Sequence, residues 1–154
     1  MNYMTYNPVD FINGEGTRCS IFVSGCEHHC HKCFNAKSFP FDAGSEFNSE
    51  IEKTIINDLT DTRIKRNGLS ILGGEPLHPK NLNSVLKLVK RVRSESPQSD
   101  IWLWTGYRLE ELEKEQLEVV NYLDVLIDGR FDHKLADPSL KWRGSSNQRV
   151  IYLK

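Results

Sequence analysis

The 154-residue sequence predicts an α/β fold, a mostly parallel sheet forming an open, incomplete (βα) barrel. Three observations predict it. Four short apolar runs each end at a glycine, as buried parallel strands do. Helical hydrophobic patterns lie between them. The chain is also too short to close an eight-stranded barrel, which takes about 250 residues.

The first apolar run is CSIFVSG, Cys19 to Gly25. After it, Ile51, Ile55, Ile56 and Leu59 fall on one helical face. LSILGG, Leu69 to Gly74, is the second strand, and Leu82, Val85, Leu86, Val89 and Val92 form the next helical face, with Pro79 suited to its first turn. In that helix Lys87, Lys90, Arg91 and Arg93 read as the solvated side. IWLWTG, Ile101 to Gly106, is the third strand. LEELEKEQLEVV then predicts a helix carrying Leu109, Leu112, Leu117 and Val120, with Glu110 and Lys114 as an i,i+4 ion pair. DVLIDG, Asp124 to Gly129, is the fourth strand, and RVIYL, Arg149 to Leu153, an added edge strand.

Alternation of strand and helix implies right-handed crossovers. Ligands of such sheets bind beyond the carboxyl ends of the strands, where the loops after Gly25, Gly73, Gly106 and Gly129 are expected to converge. No repeat, linker or low-complexity tract divides the sequence, so residues 1–154 read as one domain.

Twenty Lys and Arg residues oppose 21 Asp and Glu, a formal net charge of −1, so nothing global attracts nucleic acid or an acidic membrane. The N-terminus lacks a basic segment followed by an apolar run, and no stretch reaches the roughly 18 apolar residues of a membrane span. A cytoplasmic protein is expected. Thiols stay reduced there, so clustered cysteines point to metal binding or catalysis before disulfides.

Three of the four cysteines sit in CEHHCHKC, a C-x3-C-x2-C loop directly after the first strand. Cys26, Cys30 and Cys33 suit three irons of a 4Fe-4S cluster, leaving the fourth iron without a protein ligand. Alternatively His28, His29 or His31 completes a structural Cys3His zinc site. The segment is too polar for a core strand, which argues against cysteines acting as small hydrophobes. Cys19, at the head of an apolar run, reads as a buried free thiol. Taken singly, the three histidines read as solvated loop residues, and only His31, between two candidate ligands, is placed to support them. GGEP, Gly73 to Pro76, is on its own a tight turn opening a helix.

CEHHCHKCFN together with GGEP resembles the radical S-adenosylmethionine enzymes. The segments NPVDFINGEGTRCSIFVSGC, CFN, WLWTGY, DVLIDGRF and KWRGSSNQRVI narrow this, because together they resemble the activating proteins of anaerobic (class III) ribonucleotide reductase over nearly the whole chain. The resemblance implies a 4Fe-4S cluster on Cys26, Cys30 and Cys33, with S-adenosyl-L-methionine on the open iron. It implies that Gly73, Gly74 and Glu75 meet the cofactor's amino group, and that Thr105, with Gly106 and Tyr107, and Asp128, with Arg130, lie at strand ends near the cofactor. No catalytic side chain beyond cluster and cofactor is implied, since hydrogen-atom abstraction needs no general base. The implied product is a glycyl radical in the C-terminal loop of the reductase large subunit. The implied electron source is a low-potential donor such as flavodoxin, with no nucleic acid or membrane as partner.

Where many radical S-adenosylmethionine enzymes carry an aromatic residue before the third cysteine, this chain has Lys32, so adenine does not stack there. Phe34 is the neighbouring aromatic, suited to lining the pocket or to core packing. RGSSNQR, Arg143 to Arg149, offers hydrogen bonds to cofactor or reductase, or is a surface turn. Two other readings stay open, a small zinc-binding interaction module and an activase for another glycyl-radical enzyme.

Overall fold

Seven strands form one open sheet in the computed structural model, which describes residues 1–154. In chain order the elements are β1 (Asn2–Asp10), β2 (Arg18–Val23), β3 (Ser45–Glu46), α1 (Ser49–Thr60), β4 (Gly68–Gly73), α2 (Pro79–Glu95), β5 (Asp100–Trp104), α3 (Lys114–Val120), β6 (Val125–Asp128) and β7 (Arg149–Tyr152). The strand order is β3-β1-β2-β4-β5-β6-β7. β2, β4, β5 and β6 are mutually parallel, while β1 and β3 on one side and β7 on the other are antiparallel additions. The sheet is therefore mixed, with a parallel centre built from the four apolar runs.

Alternation along the parallel strands divides the side chains between two faces. Cys19, Ile21 and Val23 of β2, Leu69 and Ile71 of β4, Ile101 and Leu103 of β5 and Leu126 of β6 join one buried cluster with residues of all three helices. From the helices come Ile55, Ile56 and Leu59, then Val85, Leu88, Val89 and Val92, then Val119 and Val120. Asn48 caps α1 by accepting from the amides of Glu50 and Ile51, and Pro79 opens α2 as its sequence position predicts. Cys19 is fully buried and free. A smaller cluster of Trp102, Val125 and Ile127, backed by Trp104, Trp142 and Val150, takes the alternate positions of β5 and β6.

The predicted third helix is shorter than its sequence suggests. Leu109–Glu111 is a 3-10 turn, Leu112 is extended, and only Lys114–Val120 is α-helical. The amide of Glu113 donates to Gln116 Oε1, which starts the helix late. Glu110 and Lys114 thus do not share a helix, and Glu110 binds Arg149 instead. Of the four expected apolar positions, Leu112 and Val120 are buried and Leu109 packs against the core, whereas Leu117 is exposed and Val119 is buried instead. Nor are the basic residues of α2 all solvated. Arg91 bridges to the buried Glu52 of α1, and Arg93 ties α2 to Asp124 and to the carbonyls of Tyr122 and Ser99.

Arg18 is the most deeply buried charge, with its side chain 0% exposed. Its Nε donates to Ser70 Oγ at 2.7 Å, other nitrogens donate to the carbonyls of Glu15 and Leu69, and it pairs with Asp100. The guanidinium carbon lies 5.1 Å from the centre of the Trp102 ring. Arg18→Met is expected to cost about 3 kcal/mol, the low end for breaking a buried pair because Asp100 still reaches water. Chemical denaturation checks this, and an unchanged midpoint would contradict the role given to Arg18.

Candidate functional site

The carboxyl ends of β2, β4, β5 and β6 open onto one cavity, and Cys26, Cys30 and Cys33 all line it. Gly73, Gly74, Glu75 and Thr105 line the same cavity, so the structure gathers the cysteine loop, the GGEP segment and the end of β5. Phe34, Gly106 and Gln148 contribute further wall.

The cysteine loop is tied down at its base. Gly25 N donates to Ser38 O, Cys26 N to Phe39 O, and Asn81 Nδ2 to both Ser24 O and Glu75 O. Gly25 has φ +97°, and a Cβ there would lie 2.1 Å from the Phe41 ring, so only glycine turns the chain out of β2 in this space. Glu27 pairs with His78 at 3.0 Å. Burial pushes the Cys26 and Cys30 thiols above their ordinary values, against backbone hydrogen bonds at His28 and Phe131 that pull them down. Metal entering this loop must therefore displace thiol protons.

Glu75 is 1% exposed, and both its oxygens are occupied. Oε1 accepts from Leu77 N at 2.9 Å and Thr105 Oγ1 at 2.7 Å, and Oε2 from Gly106 N at 2.7 Å and His28 Nε2 at 2.8 Å. One carboxylate thus fastens the GGEP turn, the end of β5 and the cysteine loop together.

His28 was not distinguishable in sequence from a solvated loop residue, and the structure buries it, leaving its side chain 8% exposed. Arg130 Nε donates to its Nδ1 at 3.2 Å, which leaves the proton on Nε2 for Glu75. Its ring meets Tyr107 edge-on at 4.6 Å, and a Cβ on Gly106 would lie 2.4 Å from it. Gly106→Ala is accordingly expected to displace the imidazole and to cost about 1–3 kcal/mol by overpacking. A thermal melt checks this; an unshifted transition would mean that the ring moves aside freely.

His29 and His31 take no such place, stacking edge-on against Phe39 and His133 respectively. Asp128 is not brought to the cavity. It is 1% exposed, accepts from Leu109 N and pairs with Arg149, which also holds Glu110. The RGSSNQR segment is braced on the turn after β6: Gln148 Nε2 donates to Gly129 O and Asn147 Nδ2 to Arg130 O. Of this segment, Gln148 reaches the cavity.

The residues present fit an iron-sulfur cluster. Three thiols spread over a cavity wall match a cluster, in which each thiolate binds a different iron. His28, with both ring nitrogens engaged, is also no free fourth ligand for zinc.

An open α/β sheet carries three thiols in the loop after β2, and the family described as "4Fe-4S single cluster domain" matches residues 12–151, which makes this an iron-sulfur type of protein. The chain is 59% identical over 150 residues to the anaerobic ribonucleoside-triphosphate reductase-activating protein of Haemophilus influenzae, covering 97% of both chains. It is 55% identical to the protein of that name from Escherichia coli K12, over 100% of both chains, and 41% identical to that of Enterobacteria phage T4, over 97% of this chain and 93% of the other. The chain belongs to the family of anaerobic ribonucleoside-triphosphate reductase-activating proteins.

Proposed function

We propose that the protein is a radical S-adenosylmethionine activase that generates a glycyl radical on the large subunit of an anaerobic ribonucleoside-triphosphate reductase. The observation that carries this reading is the shared cavity of Cys26, Cys30 and Cys33 with Gly73, Gly74 and Thr105. The family's name supplies the partner.

A cluster with S-adenosylmethionine bound there would supply one-electron reductive cleavage and hydrogen-atom abstraction from a glycine Cα of the reductase. The protein's own part is binding, orientation and exclusion of water. Cys26, Cys30 and Cys33 would hold three irons of the cluster, leaving one iron without a protein ligand for the cofactor. Gly73 and Gly74, where a Cβ would collide with the backbone of Val23 and Gly25, bring the GGEP turn tight against the end of β2, and their carbonyls would meet the cofactor's amino group. Glu75 adds negative charge beneath that group while its hydrogen bonds keep the strand ends in place. Thr105 works through Glu75, to which its hydroxyl donates. Asp128 acts at one remove, by fixing the β6 end through Arg149 and Leu109.

The open sheet, read as an incomplete barrel, leaves room for a peptide loop to reach the site. A low-potential donor such as flavodoxin supplies the electron, in the cytoplasm. No helix is long and apolar enough to cross a membrane.

Anaerobic reconstitution with iron and sulfide, followed by reduction with S-adenosylmethionine present, tests the reading. Formation of 5′-deoxyadenosine that depends on Cys26 is expected. A colourless protein retaining one zinc and yielding no product would favour the zinc module instead.

A further inference from the structure

We infer that His28 is a positioning residue that sets the cysteine loop against the cofactor-facing strand ends, an inference resting on the proposed function for what that loop carries. His28 lies between Cys26 and Cys30 and reaches three other parts of the chain. Its Nε2–H donates to Glu75 after β4 at 2.8 Å, its Nδ1 accepts from Arg130 after β6 at 3.2 Å, and its ring packs over Gly106 and Tyr107 after β5. The base of the loop is held by Cys26 N to Phe39 O and Glu75 N to Gly25 O, and Glu27 pairs with His78, but between Cys26 and Cys30 it is the His28 side chain that reaches the ends of β5 and β6. Within residues 26–33 the backbone makes only one turn bond, Cys33 N to Cys30 O, and His29 and Lys32 adopt positive φ of 49° and 58°. A loop so sparsely bonded, with two non-glycine residues in the left-handed region, needs outside support to keep one shape.

The imidazole supplies that support through directional bonds as well as bulk. Glu75 is also bound to Thr105 and Gly106, so the bond from His28 passes the position of the loop to the end of β5. Glu75 N to Gly25 O and Asn81 fix the base of the loop to the GGEP turn, and His28, with a donor on one edge and an acceptor on the other, fixes the stretch beyond Cys26 against the ends of β5 and β6. Gln offers both in a similar span; Phe offers the bulk alone.

The test compares His28→Ala, His28→Phe and His28→Gln in the reconstituted full-length protein by two readouts. Amide hydrogen exchange at Cys26 and Cys33, the loop amides bonded to Phe39 O and Cys30 O, reports the loop itself. The S-adenosylmethionine concentration that half-converts the electron paramagnetic resonance spectrum of the reduced cluster reports its placement against the cofactor. Exchange about tenfold faster, and a half-conversion concentration about tenfold higher, are expected for Ala and Phe, the worth of one hydrogen bond to a charged partner. Gln should stay within about threefold of the parent in both. Unchanged exchange in His28→Ala overturns the inference, as does restoration by Phe, which would reduce His28 to a space-filler, or failure of Gln to restore. If the parent itself gives no spectral response to S-adenosylmethionine, the proposed function fails, and the exchange comparison still decides whether His28 positions the loop.

Discussion

Replacing Cys30 by alanine is expected to lower 5′-deoxyadenosine formation to the background of cluster-free protein. Each thiolate of a three-cysteine site holds a different iron, so one loss leaves two irons without protein ligands. The fold is expected to tolerate the change. Cys30 is only half-buried and sits in a loop outside both hydrophobic clusters, so the metal-free variant should lie within about 0.5 kcal/mol of the parent, as surface substitutions do. Measuring both quantities separates chemistry from folding. An unchanged yield in Cys30→Ala would remove Cys30 from the cluster, and a collapse in stability would make any loss of yield uninformative about ligation.

The second large effect is expected at Glu75, from a substitution that barely changes shape. In Glu75→Gln one oxygen becomes an amide nitrogen that donates and no longer accepts. In one orientation that nitrogen faces Leu77 N–H and the Thr105 hydroxyl; in the other it faces Gly106 N–H and His28 Nε2–H. The hydroxyl can rotate and the imidazole can change tautomer, but a backbone N–H cannot turn away. Either way a buried donor meets a donor, which costs about 1–3 kcal/mol. A loss of that size in chemical denaturation is expected, together with affinity for S-adenosylmethionine reduced about tenfold or more and cluster iron content close to the parent's. Equal stability and equal cofactor affinity in Glu75→Gln would contradict both roles assigned to this carboxylate.

The parallel centre of the sheet was legible because β2, β4, β5 and β6 are buried on both faces and each reaches a glycine at its end or within two residues of it, a pattern that needs no partner to be seen. β1 was not legible. Its NYMTYNPVD carries Pro8 and polar residues, and it becomes a strand only by pairing with β2 and β3. The third helix was misread for a related reason: Leu112 and Glu110 are held by tertiary partners, and the local periodicity does not reveal them.

The site divides in the same way. Cys26, Cys30 and Cys33 announce themselves by spacing within eight residues, and Gly73 to Glu75 by their place after a strand. His28 gives no such signal, because its partners Glu75 and Arg130 lie 47 and 102 residues away. Asp128 shows the opposite case. Its position at a strand end pointed to the cavity, yet the carboxylate is spent on Arg149 and Leu109 N. A polar residue at a strand end reaches a ligand only if nothing nearer claims it first.

The central claim is that the cavity makes a radical and passes it to the reductase. The most direct measurement is electron paramagnetic resonance on the reductase large subunit after anaerobic incubation with the reconstituted protein, S-adenosylmethionine and a reductant. The account predicts a stable organic radical signal on the large subunit that collapses to a singlet when its glycine is deuterated at Cα, and that is absent with the Cys26→Ala protein. Cofactor cleavage without that signal, at any ratio of the two proteins, would contradict it.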